Sequence, residues 1–332
     1  MAGGRPSREA IYQRLAALVS ELQSRLGGLP SPEEAEGIWT DIWYQEAHNS
    51  TALEGNTLIL KEVEALLGEG RAVGRRELKD YLEVKGYAAA AEWVYGQATK
   101  PGWTSGDLLT ITEVRQVHQR AMAPVWEVAP HPDARSDEAP GNWRKHDIHA
   151  FPKGMKPPGH ADVPALMTDW VADVGRVPSD TIPIAEAIAK RHAAFERVHP
   201  FLDGNGRTGR LLTNLVLVRL GYPPAVIRKR ERDAYLAALQ KADRGDPGPL
   251  GELIARTVME NLMRFILPAV AGPARLLPIE SLATKELNVT ALRMAIQRGR
   301  LRAIQDQDRT WRSTKRWVDD YKKSRYAMLR RP

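Results

Sequence analysis

Residues 199–210 read His-Pro-Phe-Leu-Asp-Gly-Asn-Gly-Arg-Thr-Gly-Arg. Apolar residues recur at helical spacing on both sides of this segment, over residues 184–198 and 211–220, which predicts two helices joined by a glycine-rich turn. A helix that begins near Gly206 would point its free backbone amides and the positive end of its dipole at an anion. The segment therefore predicts a helix–phosphate loop–helix unit rather than a turn that serves packing alone.

The side chains of this segment are of the types needed to hold a triphosphate while a proton is removed from an attacking hydroxyl. His199 is a candidate general base, since an unperturbed imidazole titrates close to neutral pH. Asp203 offers a hard oxygen ligand for a magnesium ion that also contacts phosphate oxygens, and Gly204 allows a tight turn. Arg207 and Arg210 are three residues apart, so on a helix they share one face and can bind phosphates through planar guanidinium groups.

The segment resembles the signature of the Fic family, H-x-F-x-[DE]-G-N-G-R-x-x-R, at every fixed position. Residues 141–158 are similar to the family's flap, a β-hairpin that holds the target segment in extended form beside the active site. Residues 111–118 resemble an early family helix, and residues 232–239, which include Tyr235, resemble a later helix that lines the nucleotide pocket. We therefore expect a mainly α protein, with a helical Fic bundle and a β-hairpin flap.

The resemblance implies transfer of AMP from ATP to a Ser, Thr or Tyr hydroxyl of a target protein, with Mg²⁺ as cofactor. Its catalytic residues would be His199, Asn205, Arg207 and Arg210. The phosphates and the nucleotide would be held by Gly204, Asn205, Gly206, Arg207, Arg210 and Tyr235, with the Asn205 side chain included in the phosphate cradle. Asp203 would hold the metal ion between phosphates. Removal of AMP from a modified target at the same site is the main alternative within the enzyme class.

Residues 50–56 read Ser-Thr-Ala-Leu-Glu-Gly-Asn and resemble the family's inhibitory motif, [ST]-x-x-x-E-[GN]. Ser50 and Glu54 are four residues apart and would share one helix face, and Asn56 completes the segment. The resemblance implies that Glu54 pairs with Arg210 and competes for the guanidinium that the γ-phosphate requires. The alternative is an ordinary capping arrangement in an amphipathic helix.

The chain has 332 residues, enough for more than one domain, and contains no cysteine, which excludes disulfides and thiolate metal sites. We expect an N-terminal helical region at 1–100 with the inhibitory helix around 45–56, a catalytic core at 101–272, and a separate C-terminal module at 275–330. A first helix is predicted over residues 7–26, and Ser31 is expected to cap a second. Without an apolar leader or spanning segment, a cytoplasmic protein is the default expectation.

The net charge of +7 belongs to the C-terminal module. Residues 275–332 hold 15 Lys and Arg against 6 Asp and Glu, a balance of +9, so the remainder (33 against 35) carries −2. This module resembles a winged helix-turn-helix of the excisionase and MerR type, with helices at 280–287 and 290–298, strands at 301–304 and 309–312, and a last helix capped by Ser313. The resemblance implies that the residues offered to a DNA major groove are Thr290, Arg293, Gln297 and Arg298, with Arg309 and Arg312 on phosphates.

Helix-turn-helix modules also dock proteins, so double-stranded DNA and a protein partner both stay open for this module. A nucleotide-sensing transcription regulator without turnover is the second hypothesis for the whole chain, and a structural adaptor is the third. The complete set of His199 and Asp203 argues against both, because a sensor needs neither a base nor a metal ligand. Helical proteins of this family often pair through surface helices, so a homodimer is a further expectation.

Overall fold

The computed structural model describes residues 6–32, 34–99, 108–148, 154–177, 182–272, 275–305 and 309–329. The helices are α1 (Arg8–Arg25), α2 (Glu36–Leu53), α3 (Leu60–Gly68), α4 (Leu78–Ala98), α5 (Ile111–Trp126), α6 (Val163–Val174), α7 (Ile184–Val198), α8 (Asn205–Arg219), α9 (Arg232–Asp243), α10 (Gly248–Asn261), α11 (Leu267–Val270), α12 (Val289–Gln297) and α13 (Lys315–Leu329). The strands are β1 (Leu277–Pro278), β2 (Ile304–Gln305) and β3 (Trp311–Ser313). The expectation of a mainly α protein is confirmed.

Helix α8 is the most deeply buried element of the core. Its apolar side chains, among them Leu211 and Leu215, are fully buried against α4, α5 and α7. Helix α2 packs across α4 and also contacts α8, so it reaches the helix that begins in the glycine-rich segment. Burial of α8 on nearly every side fixes the position of its N-terminus, which is where the sequence predicts the phosphate site.

The first two helices show where local signals succeed and where they fail. Ser7 caps α1 through its hydroxyl, which accepts from the amide of Ala10 at 3.2 Å, as the sequence predicts. The prediction that Ser31 caps the second helix was wrong, because α2 begins only at Glu36. Ser31 and Glu34 instead bond each other's backbone amides, which satisfies a capping pattern within one isolated turn.

The segment expected to form the flap lies between α5 and α6. Its described parts, residues 141–148 and 154–158, contain turns and bends but no strand, so the β-hairpin is not present in them. Residues 149–153, the expected tip, lie outside the described residues. Arg144, at the first described end, donates to the carbonyl of His199 in the α7–α8 loop and to the carbonyl of Pro158 at the second described end.

The C-terminal module contains a small antiparallel sheet in the order β1-β3-β2, with Leu277 opposite Ser313 and Ile304 opposite Arg312. Helix α12 agrees with the predicted 290–298 helix to within one residue. The predicted helix at 280–287 was wrong: only a 3₁₀ turn forms at Ile279–Leu282. Thr284 then bonds Leu287 through both its amide and its hydroxyl, a local arrangement that competes with helix formation.

The cap of the last helix is also displaced by one residue. The hydroxyl of Thr314, rather than that of Ser313, accepts from the amide of Trp317 at 3.1 Å. Ser313 is fully buried and donates to the carbonyl of Arg302 instead. Among the helices that the structure describes, none is both long and apolar enough to cross a membrane.

Candidate active site

His199 ends α7 in the left-handed backbone region, with φ 48° and ψ 61°. A non-glycine residue in this region is unusual and persists only where its surroundings hold it. The amide of His199 donates to the carbonyl of Phe195, and its carbonyl accepts from Nε of Arg144 at 2.9 Å. The chain therefore turns sharply at the candidate base, and Arg144 bonds the turn from outside it.

The imidazole of His199 has the protonation state that a general base needs. Its Nδ1 lies 3.2 Å from the carbonyl of Glu196, which can only accept, so Nδ1 carries the proton and Nε2 has the lone pair. Burial lowers the pKa of His199 to about 4, and the positive charge of Arg144 acts in the same direction. The ring is therefore neutral at physiological pH.

The glycine-rich loop is closed by Asn205 and by His118. Asn205 is buried, and its amide group bonds both the N–H and the carbonyl of Phe201, at 2.9 and 2.8 Å. These bonds show the Asn205 side chain holding the loop closed rather than facing a ligand. His118 on α5 stacks on Phe201 at 3.6 Å between ring centroids and donates from Nε2 to the carbonyl of Asp203.

The first turn of α8 lies where the sequence predicts an anion cradle. Gly204 adopts a positive φ of 76°, and a methyl group there would collide with Met122, so the loop requires glycine at this point. A methyl group at Gly206 would collide with the carboxylate of Glu54, which lies directly against this turn. The carboxylate of Glu54 therefore covers the position expected for the anion.

Asp203 stands at the rim of the cradle with its carboxylate about half exposed. Its Oδ1 accepts from the amide of Gly204 at 2.6 Å and lies 3.3 Å from Arg207. Within the described part of the chain, no group of three or more acidic or histidine side chains could hold a metal ion. Mg²⁺ typically uses one or two carboxylates together with substrate phosphates, so a single accessible carboxylate beside an anion cradle fits that ion.

Arg207 is buried and is contacted by two carboxylates. Its guanidinium lies 3.3 Å from Oε1 of Glu83 on α4 and 3.3 Å from Asp203. Nε and Nη1 of Arg207 are buried, and neither has an acceptor in hydrogen-bond geometry within the described structure. Nη1 contacts Glu83 only as an ion pair. Oε2 of Glu83 accepts from the side-chain amide of Asn56 at 2.9 Å, so Glu83 links the inhibitory segment to Arg207.

Arg210 is held by the inhibitory segment itself. Its Nε donates to the hydroxyl of Ser50 at 2.8 Å, and its Nη2 donates to the Ser50 carbonyl and to Oε1 of Glu54 at 2.7 Å. Burial acts to raise the pKa of Glu54, but the charge of Arg210 outweighs it and the pKa is lowered. The expected Glu54–Arg210 pair is therefore present, between two ionised groups.

Buried polar side chains surround Arg210. The centroid of the Tyr235 ring is 6.0 Å from the guanidinium of Arg210, and the Tyr235 hydroxyl is paired with His192 at 2.7 Å. Tyr235 therefore packs beside Arg210. Burial raises the pKa of Glu196 to about 8, which keeps this carboxyl neutral at physiological pH. Burial also raises the pKa of Glu46, which accepts from Tyr87, Tyr95 and Asn214.

A cleft of about 610 Å³ has His199 in its wall. It is lined by His131, Asp133, Arg135, His146, Asp147, Ile148, His199 and Leu202. The cleft therefore lies between the base, the segment before the flap and the first half of the flap. This position leaves room for a target side chain beside the imidazole.

The residues expected to read DNA lie on the exposed face of α12, where Thr290, Arg293, Gln297 and Arg298 are all exposed. Arg293 is already paired with Glu280 at 3.0 Å. Arg312 is paired with Glu21 of α1 at 3.1 Å, so it joins the module to the helical bundle.

Three residues that hold the site together were not singled out by the sequence. Glu83 contacts Arg207, His118 bonds the loop at Asp203, and Arg144 bonds the carbonyl of His199. Their partners are distant in sequence, so periodicity and spacing give no sign of these contacts. Arg144 follows Trp143 in the flap, and Trp143 packs on Phe201 of the motif. This neighbour is the one sequence feature that could have indicated a position of Arg144 near the site.

The fold and the site together define a helical domain in which a loop carrying His199 leads into a buried helix with two arginines. Residues 108–217 match the model of the Fic/DOC family. The matched segment includes the motif at residues 199–210 on which the resemblance rests.

The curated relatives that the chain matches are named protein adenylyltransferase Fic. The protein from Drosophila yakuba is 27% identical over 252 residues, which is 75% of this chain and 48% of the relative. The protein from Aedes aegypti is 28% identical over 266 residues, which is 76% of this chain and 50% of the relative. The chain thus spans about half the length of these relatives.

Two solved structures are similar across most of the chain. Fic-1 from C. elegans superposes with a TM-score of 0.63 at 25% identity, over 78% of this chain and 71% of that one. A Fic domain containing signaling protein from Bacteroides thetaiotaomicron superposes with a TM-score of 0.61 at 25% identity, over 77% of this chain and 96% of that one.

Proposed function

We propose that this protein transfers AMP from ATP to a hydroxyl group of a target protein, and that Glu54 inhibits the transfer. The observation that supports it most directly is that the loop from His199 leads into α8, whose Arg207 and Arg210 already bind the carboxylates of Asp203 and Glu54. The name adenylyltransferase of the curated relatives supports the same reaction.

In the proposed reaction the target hydroxyl oxygen attacks the α-phosphorus of ATP. The bond from that phosphorus to the bridging oxygen breaks, pyrophosphate leaves, and the hydroxyl proton passes to Nε2 of His199. The cleft beside His199 admits the target, and the first-turn amides of α8 stabilise the charge that develops on the phosphate oxygens. Arg207 and Arg210 bind the outer phosphates. Mg²⁺, held by Asp203, would neutralise phosphate charge when bound.

The proposed inhibition rests on the position of Glu54. Its carboxylate covers the first turn of α8 and bonds the guanidinium of Arg210, so it occupies two positions that a triphosphate needs. ATP must displace Glu54 from Arg210, or bind with its phosphates shifted away from the position for in-line attack. The bond to Arg210 supports inhibition over the capping alternative, because α2 ends at Leu53 and Glu54 is not at the start of a helix.

Intact-mass spectrometry of self-modification tests both parts of the proposal. The wild type, Glu54→Gly, and Glu54→Gly/His199→Ala are each incubated with ATP and Mg²⁺. We expect a gain of one or more AMP groups in Glu54→Gly and none in the double variant, since loss of a general base costs about 10²- to 10⁴-fold in rate. A double variant that labels as fast as Glu54→Gly would remove His199 from the proposal. Absence of labelling in all samples, repeated with labelled ATP in cell lysate, would contradict AMP transfer.

Double-stranded DNA binding by the C-terminal module is the second candidate function. Two adjoining clefts of about 660 and 510 Å³ lie beside α13, the larger against residues 300–302 and the smaller against α12. They are lined by five arginines, Arg298, Arg300, Arg302, Arg316 and Arg325, beside Trp317 and Tyr321. Within the described part of the chain, Arg298, Arg300, Arg316 and Arg325 have no ion-pair partner, whereas Arg293 and Arg312 do. The unpaired arginines suit a phosphodiester backbone.

Fluorescence anisotropy with a labelled duplex tests this second function in the full chain. Replacing Arg300 and Arg316 by alanine should weaken binding and reduce the slope of log K against log salt by about 1.8, at roughly 0.9 per lost phosphate contact. Lys285→Ala is the matched control, because Lys285 lines neither cleft. Equal weakening by the control, or no binding by the wild type, would contradict the assignment. Removal of AMP, a winged helix-turn-helix, homodimer formation and a cytoplasmic location stay predictions.

A further inference from the structure

We propose that Arg144 is a positioning residue, which fixes the backbone of the base His199 and joins both ends of the flap to the catalytic loop. The proposal rests on the proposed AMP transfer for its kinetic readout. It goes beyond that function by assigning a role to a residue outside the signature motif.

The guanidinium of Arg144 is fully buried and is surrounded by backbone carbonyls. Nε donates to His199 at 2.9 Å, and Nη2 donates to Pro158 at 2.6 Å. Nη1 donates to the carbonyl of His146 at 3.1 Å. The backbone amide of Arg144 donates in addition to the carbonyl of Pro200 at 2.9 Å. One side chain therefore connects the catalytic loop with residues 146 and 158 of the flap.

The geometry of this contact requires arginine. Guanidinium presents five N–H donors in a fixed plane, and here they reach carbonyls from separate segments at once. Lysine could keep the positive charge but could not reproduce the planar set of bonds. The nearest carboxylate is Asp147, 3.8 Å from Nη1 and largely exposed, so carbonyls rather than an ion pair dominate the environment.

The contact acts on the base through its backbone. His199 is one of two described non-glycine residues with a positive φ, a conformation that is unfavourable for a residue with a Cβ. The Arg144 bond to its carbonyl is in place to hold this conformation against relaxation. A displacement of about 1 Å in a catalytic group can cost on the order of 10²-fold in rate, so the consequence should be measurable.

The positive charge of Arg144 also affects the pKa of His199. Burial is the main cause of the lowered pKa of His199, the Glu196 carbonyl and the charges of Glu54 and Asp203 oppose it, and Arg144 adds to it. Removal of the positive charge should therefore raise the pKa of His199, and a lysine at this position should leave the pKa low.

The test compares Arg144→Met and Arg144→Lys in the Glu54→Gly background, with thermal melting as the check on folding. We expect Arg144→Met to lower kcat for target labelling by roughly 10- to 100-fold while the Kd for ATP changes less than 3-fold, because Arg207 and Arg210 are untouched. Arg144→Lys should also lower kcat, since it loses the planar bonds. If the methionine variant fails to fold, the lysine variant carries the kinetic test.

A titration of the imidazole by ¹³C NMR supplies a readout that does not depend on activity. The His199 signal, assigned with His199→Ala, should titrate at higher pH in Arg144→Met than in Glu54→Gly, and at an unchanged pH in Arg144→Lys. Folded variants with the parent's kcat and the parent's His199 titration would overturn the positioning role. A parent without transfer would contradict the proposed function instead, and the titration would still decide on Arg144.

Discussion

Replacement of Glu54 is the perturbation whose effect can be worked out most directly from the structure. Its carboxylate bonds Nη2 of Arg210 at 2.7 Å, and the Glu54 side chain is 40% exposed while that of Arg210 is 6% exposed. A hydrogen bond between charged groups contributes about 1.5 to 3 kcal/mol, and exposed ion pairs contribute under about 1 kcal/mol. The partial exposure of Glu54 places this pair between the two ranges, at about 1 to 2 kcal/mol.

This free energy opposes productive ATP binding, because the γ-phosphate and Glu54 compete for the same guanidinium. At about 1.36 kcal/mol per tenfold change, removal of the carboxylate should tighten productive ATP binding by roughly 5- to 30-fold. Glu54→Gln removes the charge and keeps most of the volume, whereas Glu54→Gly also clears the first turn of α8. We therefore expect transfer to rise from wild type to Glu54→Gln and again to Glu54→Gly.

Isothermal calorimetry gives the ATP Kd of each variant, and labelled ATP gives the transfer rate. Glu36→Gln is the matched control, because Glu36 is an exposed glutamate in the first turn of the same helix, α2. The reasoning is refuted if Glu54→Gln and Glu54→Gly bind ATP with the wild-type Kd and transfer AMP at the wild-type rate. Equal gains in Glu36→Gln would show a general effect of lost negative charge rather than release of Arg210.

Two further predictions concern the buried groups around the site. Glu83→Gln should tighten ATP binding by roughly 2- to 5-fold in calorimetry, because it removes an ion pair from Arg207; weaker binding would contradict this. Stability should depend on pH in two directions. Burial lowers the pKa of His118 to about 4 and that of His192 to about 3, so the free energy of unfolding should fall as pH drops below about 6.5, by about 1.4 kcal/mol per pH unit for each histidine. Burial raises the pKa of Glu196 from its usual 4.5 to about 8, so the contribution of Glu196 to stability falls from about pH 4.5 to 8. Above about pH 6.5, where the two histidines no longer titrate, this leaves a net fall in stability up to about pH 8, and Glu196→Gln should weaken that fall; calorimetric melting of both proteins at each pH would show whether it does.

The sequence predicted the motif helices well because their periodicity and their end signals agree. The structure places α7 at Ile184–Val198 and begins α8 at Asn205, one residue before the predicted start. The prediction failed where short polar side chains satisfied the backbone locally. Ser31 with Glu34 formed an isolated turn before α2, and Thr284 replaced the first helix of the C-terminal module by a turn.

The motif predicted which side chains meet at the start of α8, but not the bonds that hold them there. The signature contains His199 and Asn205, but it does not show that both polar atoms of the Asn205 side chain bond the backbone of Phe201. Arg144 and Glu83 are two charged residues among many, and no local pattern distinguishes a buried arginine from an exposed one. Only the packing of α4, α5 and the flap around the loop brings these two side chains to the site.

The ion pairs that underlie the proposed inhibition also compensate the charges of two buried arginines. Arg207 and Arg210 are both buried, and a buried cation without an anion is strongly unfavourable. Glu54 supplies the anion for Arg210, and Glu83 with Asp203 supplies it for Arg207. A triphosphate bound at the first turn of α8 would therefore replace carboxylates as the anions paired with Arg207 and Arg210. We therefore expect that moving the end of α2 away from Arg210 favours ATP binding, and that Glu54 controls the proposed transfer.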